Sequence, residues 1–160
     1  MQIDVRLAIR KFILFLASGA GAGFVPRIPG TSGTLIAIPL SLGLNRLAAT
    51  DPTIAVAALG GFILVAMGLA DRAARILGRK DPPIVVIDEI AGFALANFMN
   101  ERVTGLILAF VLFRFFDIAK IFPAARLEAL PGGAGIVLDD LMAGLYTFFV
   151  LRLLSLTGWI

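Results

Sequence analysis

The sequence predicts an all-α fold, a polytopic membrane helical bundle of about five spans joined by Gly-rich cytoplasmic loops. Three observations predict it. Of the 160 residues, 59% are hydrophobic and only 16% are charged, whereas an ordinary soluble domain is about 45–50% apolar and about 25% charged. The mean hydropathy is +0.98, more apolar surface than one small core hides and far too much for a disordered chain. An uncharged stretch, Thr53–Ala70, lies between Asp51 and Asp71 and approaches the roughly 20 residues that a span requires.

Taken in order, residues 12–25 are too short and too Gly-rich for a span and read as a re-entrant or interfacial segment. Arg6, Arg10 and Lys11 precede them, but no small-residue cleavage site follows, so the segment is not read as a cleavable signal. A first span is expected at 33–49, with Pro39 able to kink it, and a second at 53–70. The apolar run 90–113 is interrupted by Asn97, Asn100, Glu101, Arg102 and Thr104. That break predicts a tight helical hairpin with spans at 85–100 and 103–118. A last span, 141–158, carries Arg152. With the N-terminus inside, eleven of the fourteen basic residues fall on one side, and only Arg46, Arg102 and Arg152 fall elsewhere. The positive-inside rule makes that side cytoplasmic. No repeat or second domain is visible, so residues 1–160 are read as one domain. The basic rim of Arg72, Arg75, Arg79 and Lys80 suits anionic lipid better than nucleic acid.

The chain has no Cys and no His, which excludes disulfides, thiol chemistry, the Ser–His–Asp triad and phosphohistidine mechanisms. The acids point elsewhere. Asp88 and Glu89, Asp117, and Asp139 with Asp140 fall at span ends on the same basic side, while Glu128 is left outside these clusters. Ionisable groups near hydrocarbon are costly and mark sites. Arg114, Asp117 and Lys120 also fit simple helix-surface ion pairs, and Asp139 fits a helix cap, but a cap does not explain two adjacent acids. Carboxylates without His or Cys suit a hard cation such as Mg²⁺, which pairs with phosphates, polarises a phosphoryl oxygen and activates water. Two glycine-containing segments, Pro29–Thr34 and Pro131–Gly135, read as loops on the same side, able to bring backbone N–H groups to an anion. Neither has the Walker A pattern.

Four segments in order, PGTSGTL (29–35), VIDEIAG (86–92), FRFFDIAKIFP (113–123) and GGAGIVLDDLMAG (132–144), resemble the phosphatidylglycerophosphatase A family of bacterial membrane enzymes. The resemblance covers about residues 14–153. It implies a multi-pass protein of the bacterial inner membrane. The implied reaction is Mg²⁺-dependent release of the terminal phosphate from phosphatidylglycerophosphate, giving phosphatidylglycerol in phospholipid biosynthesis. One departure is visible: the family usually has proline directly after the lysine of the third segment, and here Lys120 is followed by Ile121, Phe122 and Pro123.

On this reading Asp88, Glu89, Asp117, Asp139 and Asp140 hold the metal, and one of them acts as general base. Lys120 and Arg114 hold phosphate oxygens. Thr31, Gly33 and Thr34 form the phosphate-side loop, and Arg27 meets the lipid's other phosphate. The partners are the lipid substrate and the bilayer, with no nucleic acid and no obligate protein partner. Absence of a D-x-D-x-[TV] signature favours metal-activated water over an aspartyl-phosphate. Carboxylates at helix ends also suit a cation transporter or a non-catalytic membrane subunit, but no repeated halves are seen. A CDP-alcohol phosphotransferase would need a pattern of D-G, A-R, G and two further Asp that is not found.

Overall fold

A computed structural model describes residues 2–100 and 102–158, and Glu101 lies outside the described residues. The described residues form helices and turns, with no strand among them. Seven α-helices follow one another: α1 Gln2–Ala17, α2 Pro29–Thr50, α3 Pro52–Leu77, α4 Ile87–Ala96, α5 Val103–Ala119, the one-turn α6 Ala124–Leu127, and α7 Gly132–Leu156. A 3₁₀ turn, Ala22–Phe24, precedes α2.

Both segments read as glycine loops are helix starts. Pro29 stands in the first turn of α2, where its missing N–H costs nothing. Gly132 begins α7 nine residues before the expected span. Their glycines serve contact. A Cβ on Gly33 would sit 2.7 Å from Val86 Cβ, and one on Gly133 would run into the backbone of Met67 and Asp71 in α3. Asp51 caps α3 by accepting from Thr53 N (2.9 Å) and Ile54 N (3.1 Å), and Gly78 ends it in the left-handed conformation.

Two helices, α3 and α7, are long and apolar enough to cross a membrane. The expected third span shortens. The α4 helix has ten residues, about 15 Å at 1.5 Å per residue, half the roughly 30 Å hydrocarbon core. At the expected break, α4 ends at Ala96 and α5 begins at Val103. Asn97 and Asn100 stop α4 by bonding each other (2.7 Å), and Asn45 of α2 donates to the carbonyls of Asn97 and Asn100.

The α4 helix is instead the buried centre. Phe93, packed edge-on to Phe110 and Phe113, is fully buried with Val86 and Val137. It packs on α7 at glycine: Gly92 O lies 2.3 Å from where a Gly144 Cβ would be. The α1 helix is tied to one end of the bundle. Arg10 reaches Ile76 O at the end of α3, and Ala17 O accepts from Val86 N just before α4. Both attachments lie at one end of the bundle, the end where α2, α4 and α7 start and α5 stops.

Candidate active site

Four helix termini meet at that end. The first turn of α4 supplies Asp88 and Glu89, the last two turns of α5 supply Arg114 and Asp117, α7 supplies Asp139 and Asp140 two turns in, and α2 brings its N-terminus. Carboxylate oxygens of Asp88, Glu89 and Asp140 lie within 4.8 Å of one another. Asp88 and Asp140 are 7% and 5% exposed. Asp117 stands within hydrogen-bonding reach of Asp140, and Asp88 within reach of Glu89. Asp88 Oδ1 and Glu89 Oε2 are buried without a hydrogen-bond partner. Carboxylates packed this closely repel, by about 4 kcal/mol per pair at 4 Å and an effective dielectric of about 20, unless a proton or cation lies between them. An oxygen-only donor set with two orphaned buried oxygens fits a hard divalent cation.

The remaining candidates divide around this cluster. Arg114 pairs with Asp117. The pair has the i, i+3 spacing of a surface bridge, but both side chains are mostly covered (19% and 14% exposed). Gly30 lies directly against the guanidinium: a Cβ there would meet Glu89 Oε1 at 2.5 Å and an Arg114 terminal nitrogen at 2.9 Å. Helical bonding in α2 starts with Ser32 N donating to Ile28 O. The N–H groups of Gly30 and Thr31 are therefore the unbonded ones of the first turn, and Gly30 sits beside Arg114. Gly33 and Thr34 lie further along α2. Their N–H groups lie inside the helix, and the fully buried Thr34 hydroxyl donates to Gly30 O at 2.9 Å. Arg27 is exposed, in the turn before α2, with φ of 69°.

Asp139 stands apart from the trio of Asp88, Glu89 and Asp140. It lies in the second turn of α7, which removes the capping explanation, and its Oδ2 accepts from Lys120 Nζ at 2.9 Å while Oδ1 has no partner. Lys120 ends α5 in the left-handed conformation (φ 43°, ψ 52°). A proline at 121 would push its predecessor to extended backbone, so Ile121 is compatible with this cap. Burial works against the Lys120 ammonium, but hydrogen bonds to Glu128 and Asp139 outweigh it and raise its pKa above the usual lysine range.

Glu128, read as outside the clusters, is in fact Lys120's second partner at 2.8 Å. Asp81 was missed as well. With Lys80, Glu128, Gly135 and Ile136 it lines a cleft of about 30 Å³ beside Asp139, room for one water. Its one sequence signal is position, an acid closing the basic stretch seven residues before Asp88.

A buried carboxylate cluster, a helix N-terminus and an arginine at one point suit a phosphate ester and a metal. The family model of phosphatidylglycerophosphatase A matches residues 15–155. The chain belongs to this family. Curated relatives agree along nearly the whole chain. A phosphatidylglycerophosphatase A of Haemophilus influenzae is 32% identical over 148 residues, covering 91% of this chain and 90% of the relative. That of Escherichia coli is 32% identical over 139 residues, 85% and 79%. A putative phosphatidylinositol-3-phosphatase of Bacteroides thetaiotaomicron is 34% identical over 155 residues, 92% and 94%. No solved structure matches. Membership in the phosphatidylglycerophosphatase A family makes the chain an enzyme, a phosphatase.

Proposed function

We propose that this protein hydrolyses the terminal phosphate monoester of phosphatidylglycerophosphate at the inner face of a bacterial plasma membrane, with Mg²⁺ held by Asp88, Glu89 and Asp140. The observation that carries the reading is the orphaned carboxylate trio set against Arg114 and the free N–H groups of α2. Bound there, Mg²⁺ would supply charge neutralisation and polarisation of the phosphoryl group.

The chain's own groups do the rest. Arg114 and the N–H groups of Gly30 and Thr31, with the Thr31 hydroxyl, hold the phosphate oxygens and stabilise charge that grows during transfer. Asp117 fixes Arg114 and abuts Asp140, so it positions both halves of the site. Asp139 Oδ1, unpartnered beside the water-sized cleft, takes the proton of the attacking water while Lys120 holds the other oxygen. The water oxygen bonds to phosphorus as the phosphorus–ester oxygen bond breaks; the leaving alkoxide takes a proton from solvent water, the proton on Asp139 returns to solvent, and the products are the lipid alcohol and inorganic phosphate. The proposed membrane arrangement keeps five passes, the third made by the short, buried α4 together with the chain on either side of it rather than by a full-length helix, with α1 lying in the interface.

The similarity to a putative phosphatidylinositol-3-phosphatase motivates a second reading in which the head group is an inositol phosphate. Phosphate release by purified protein in detergent tests both. Turnover of phosphatidylglycerophosphate is expected to stop with EDTA and return with Mg²⁺, with phosphatidylinositol 3-phosphate poor by comparison. Reversed preference moves the substrate to the second reading, and full turnover in metal-free protein overturns the metal site.

A further inference from the structure

An apolar groove of about 290 Å³ lies between the end of α5 and the middle of α7, lined by Phe116, Phe122, Tyr146, Phe149, Val150 and Leu153. Its upper rim is made by residues that neighbour site residues along the chain. Phe116 precedes Asp117, and Phe122 lies two residues after Lys120. On α7, Asp139, Tyr146 and Leu153 are spaced i, i+7, i+14, a single stripe of the helix. Tyr146 stands at the change from polar to apolar. Its hydroxyl donates to Phe122 O at 2.7 Å, and its ring packs on Phe116 at 5.5 Å. The side chains below it are open, with Phe149 56% and Leu153 64% exposed.

Asp139 thus has a small charged cleft on one side and this groove running away along its own helix. That cleft is itself net acidic, with Asp81, Glu128 and Asp139 against Lys80, so an anionic head belongs on the Arg114 and α2 side of the proposed metal site; an apolar groove leading off the same helix that carries Asp140 is complementary to the alkyl chain of such an amphiphile. Other exposed apolar side chains, such as Leu64 and Val65 on α3, lie on a surface with no link to the acids. We propose that the α5–α7 groove seats an acyl chain of the lipid whose phosphate enters the carboxylate site; the inference rests on the phosphatase reading. The chain makes a binding contact here, and selectivity for diacyl lipid over a free phosphate ester follows from it.

The test pairs turnover with crosslinking. Val150→Trp and Leu153→Trp fill the groove without touching the acids. Each is expected to raise KM for long-chain phosphatidylglycerophosphate by about tenfold, as when methylenes lose a hydrophobic pocket. For the deacylated, water-soluble head-group ester, kcat/KM is expected to stay unchanged. Equal loss for both substrates, or no loss for either, overturns the groove.

A diacylglycerol phosphate with a diazirine in one acyl chain gives an independent readout on wild-type protein. Label is expected on residues 116–122 and 146–153, suppressed by unlabelled lipid phosphate but not by diacylglycerol, and lost in Val150→Trp. Label spread evenly onto α3 overturns the proposal. Wild-type protein that releases phosphate from neither substrate removes the phosphatase reading, and the crosslink pattern then decides the groove alone.

Discussion

Asp139 and Asp140 are neighbours in the chain and point to different partners, Lys120 for one and the Asp88–Glu89 pair for the other. A helix turns about 100° per residue, so the adjacency that makes two acids conspicuous in the sequence also separates their roles. Of the five candidate acids, Asp88, Glu89 and Asp140 bring carboxylate oxygens within 4.8 Å of one another, while Asp117 pairs with Arg114 and Asp139 with Lys120. Their division does not follow from sequence, because it depends on how α5 and α7 are rotated against each other. Glu128 shows the same limit: nothing in its spacing marks it, and the left-handed turn at Lys120 brings it in. Asp88→Asn and Asp140→Asn are expected to cut turnover about a hundredfold or more while unfolding at the same or a higher temperature, since each relieves repulsion. Wild-type turnover in either variant makes these acids scaffold.

Glu128→Gln should cost only a few-fold, because Lys120 keeps Asp139, and Lys120→Met should cost more than Glu128→Gln. Because the Lys120 pKa is raised above its ordinary 10.5, its ion pairs stabilise the fold fully below that value and fade only as pH rises through the higher folded one. Thermal unfolding of wild type and Lys120→Met should therefore differ by a constant amount across neutral pH. A gap that closes near neutrality would contradict the pairing.

At the level of elements, the hydropathy runs and the 97–102 break are legible because they record burial and helix termination directly. The starts of α2 and α7 are not. Pro and Gly signal turns by local preference, and tertiary contact overrides it here, using small residues to bring backbones together. The override can be measured at Gly144. An added methyl would meet Gly92 O at 2.3 Å, so Gly144→Ala is expected to destabilise by about 1–3 kcal/mol, as overpacking does. Gly68, inside α3 with open space around it, gives the opposite expectation. Gly68→Ala should stabilise by about 0.5–1 kcal/mol through helix propensity. Unfolding curves in detergent that show the same sign for both would mean that α4–α7 contact does not set the position of α7.

For the whole molecule, the question is which faces the bilayer separates. The α3 helix has 26 residues, about 39 Å, enough to carry the chain across the roughly 30 Å core. Its C-terminal end lies with the acids, since Asp71, Gly78 and Gly132 border one surface pocket. Its N-terminal end follows the α2–α3 turn at Asp51, at the opposite end. Arg72, Arg75, Arg79 and Lys80 crowd the first end, whereas Arg102 and Arg152 border a pocket at the other with Met99 and Asn100. In the proposed membrane arrangement, the basic excess beside the acids would orient that end to the cytoplasm, where an anionic head group would meet it without leaving its leaflet. The chain has no native Cys, so single Cys probes report cleanly. Probes at Gly78 and Ala134 are expected to react with a membrane-impermeant thiol reagent only from the cytoplasmic side, and a probe at the exposed Ala49 only from the other. If Gly78 and Ala134 react from opposite sides, the start of α7 and the end of α3 do not share a face in the membrane. If all three react from one side, α3 does not cross, and the bundle lies on the bilayer with its acids reaching lipid from the surface.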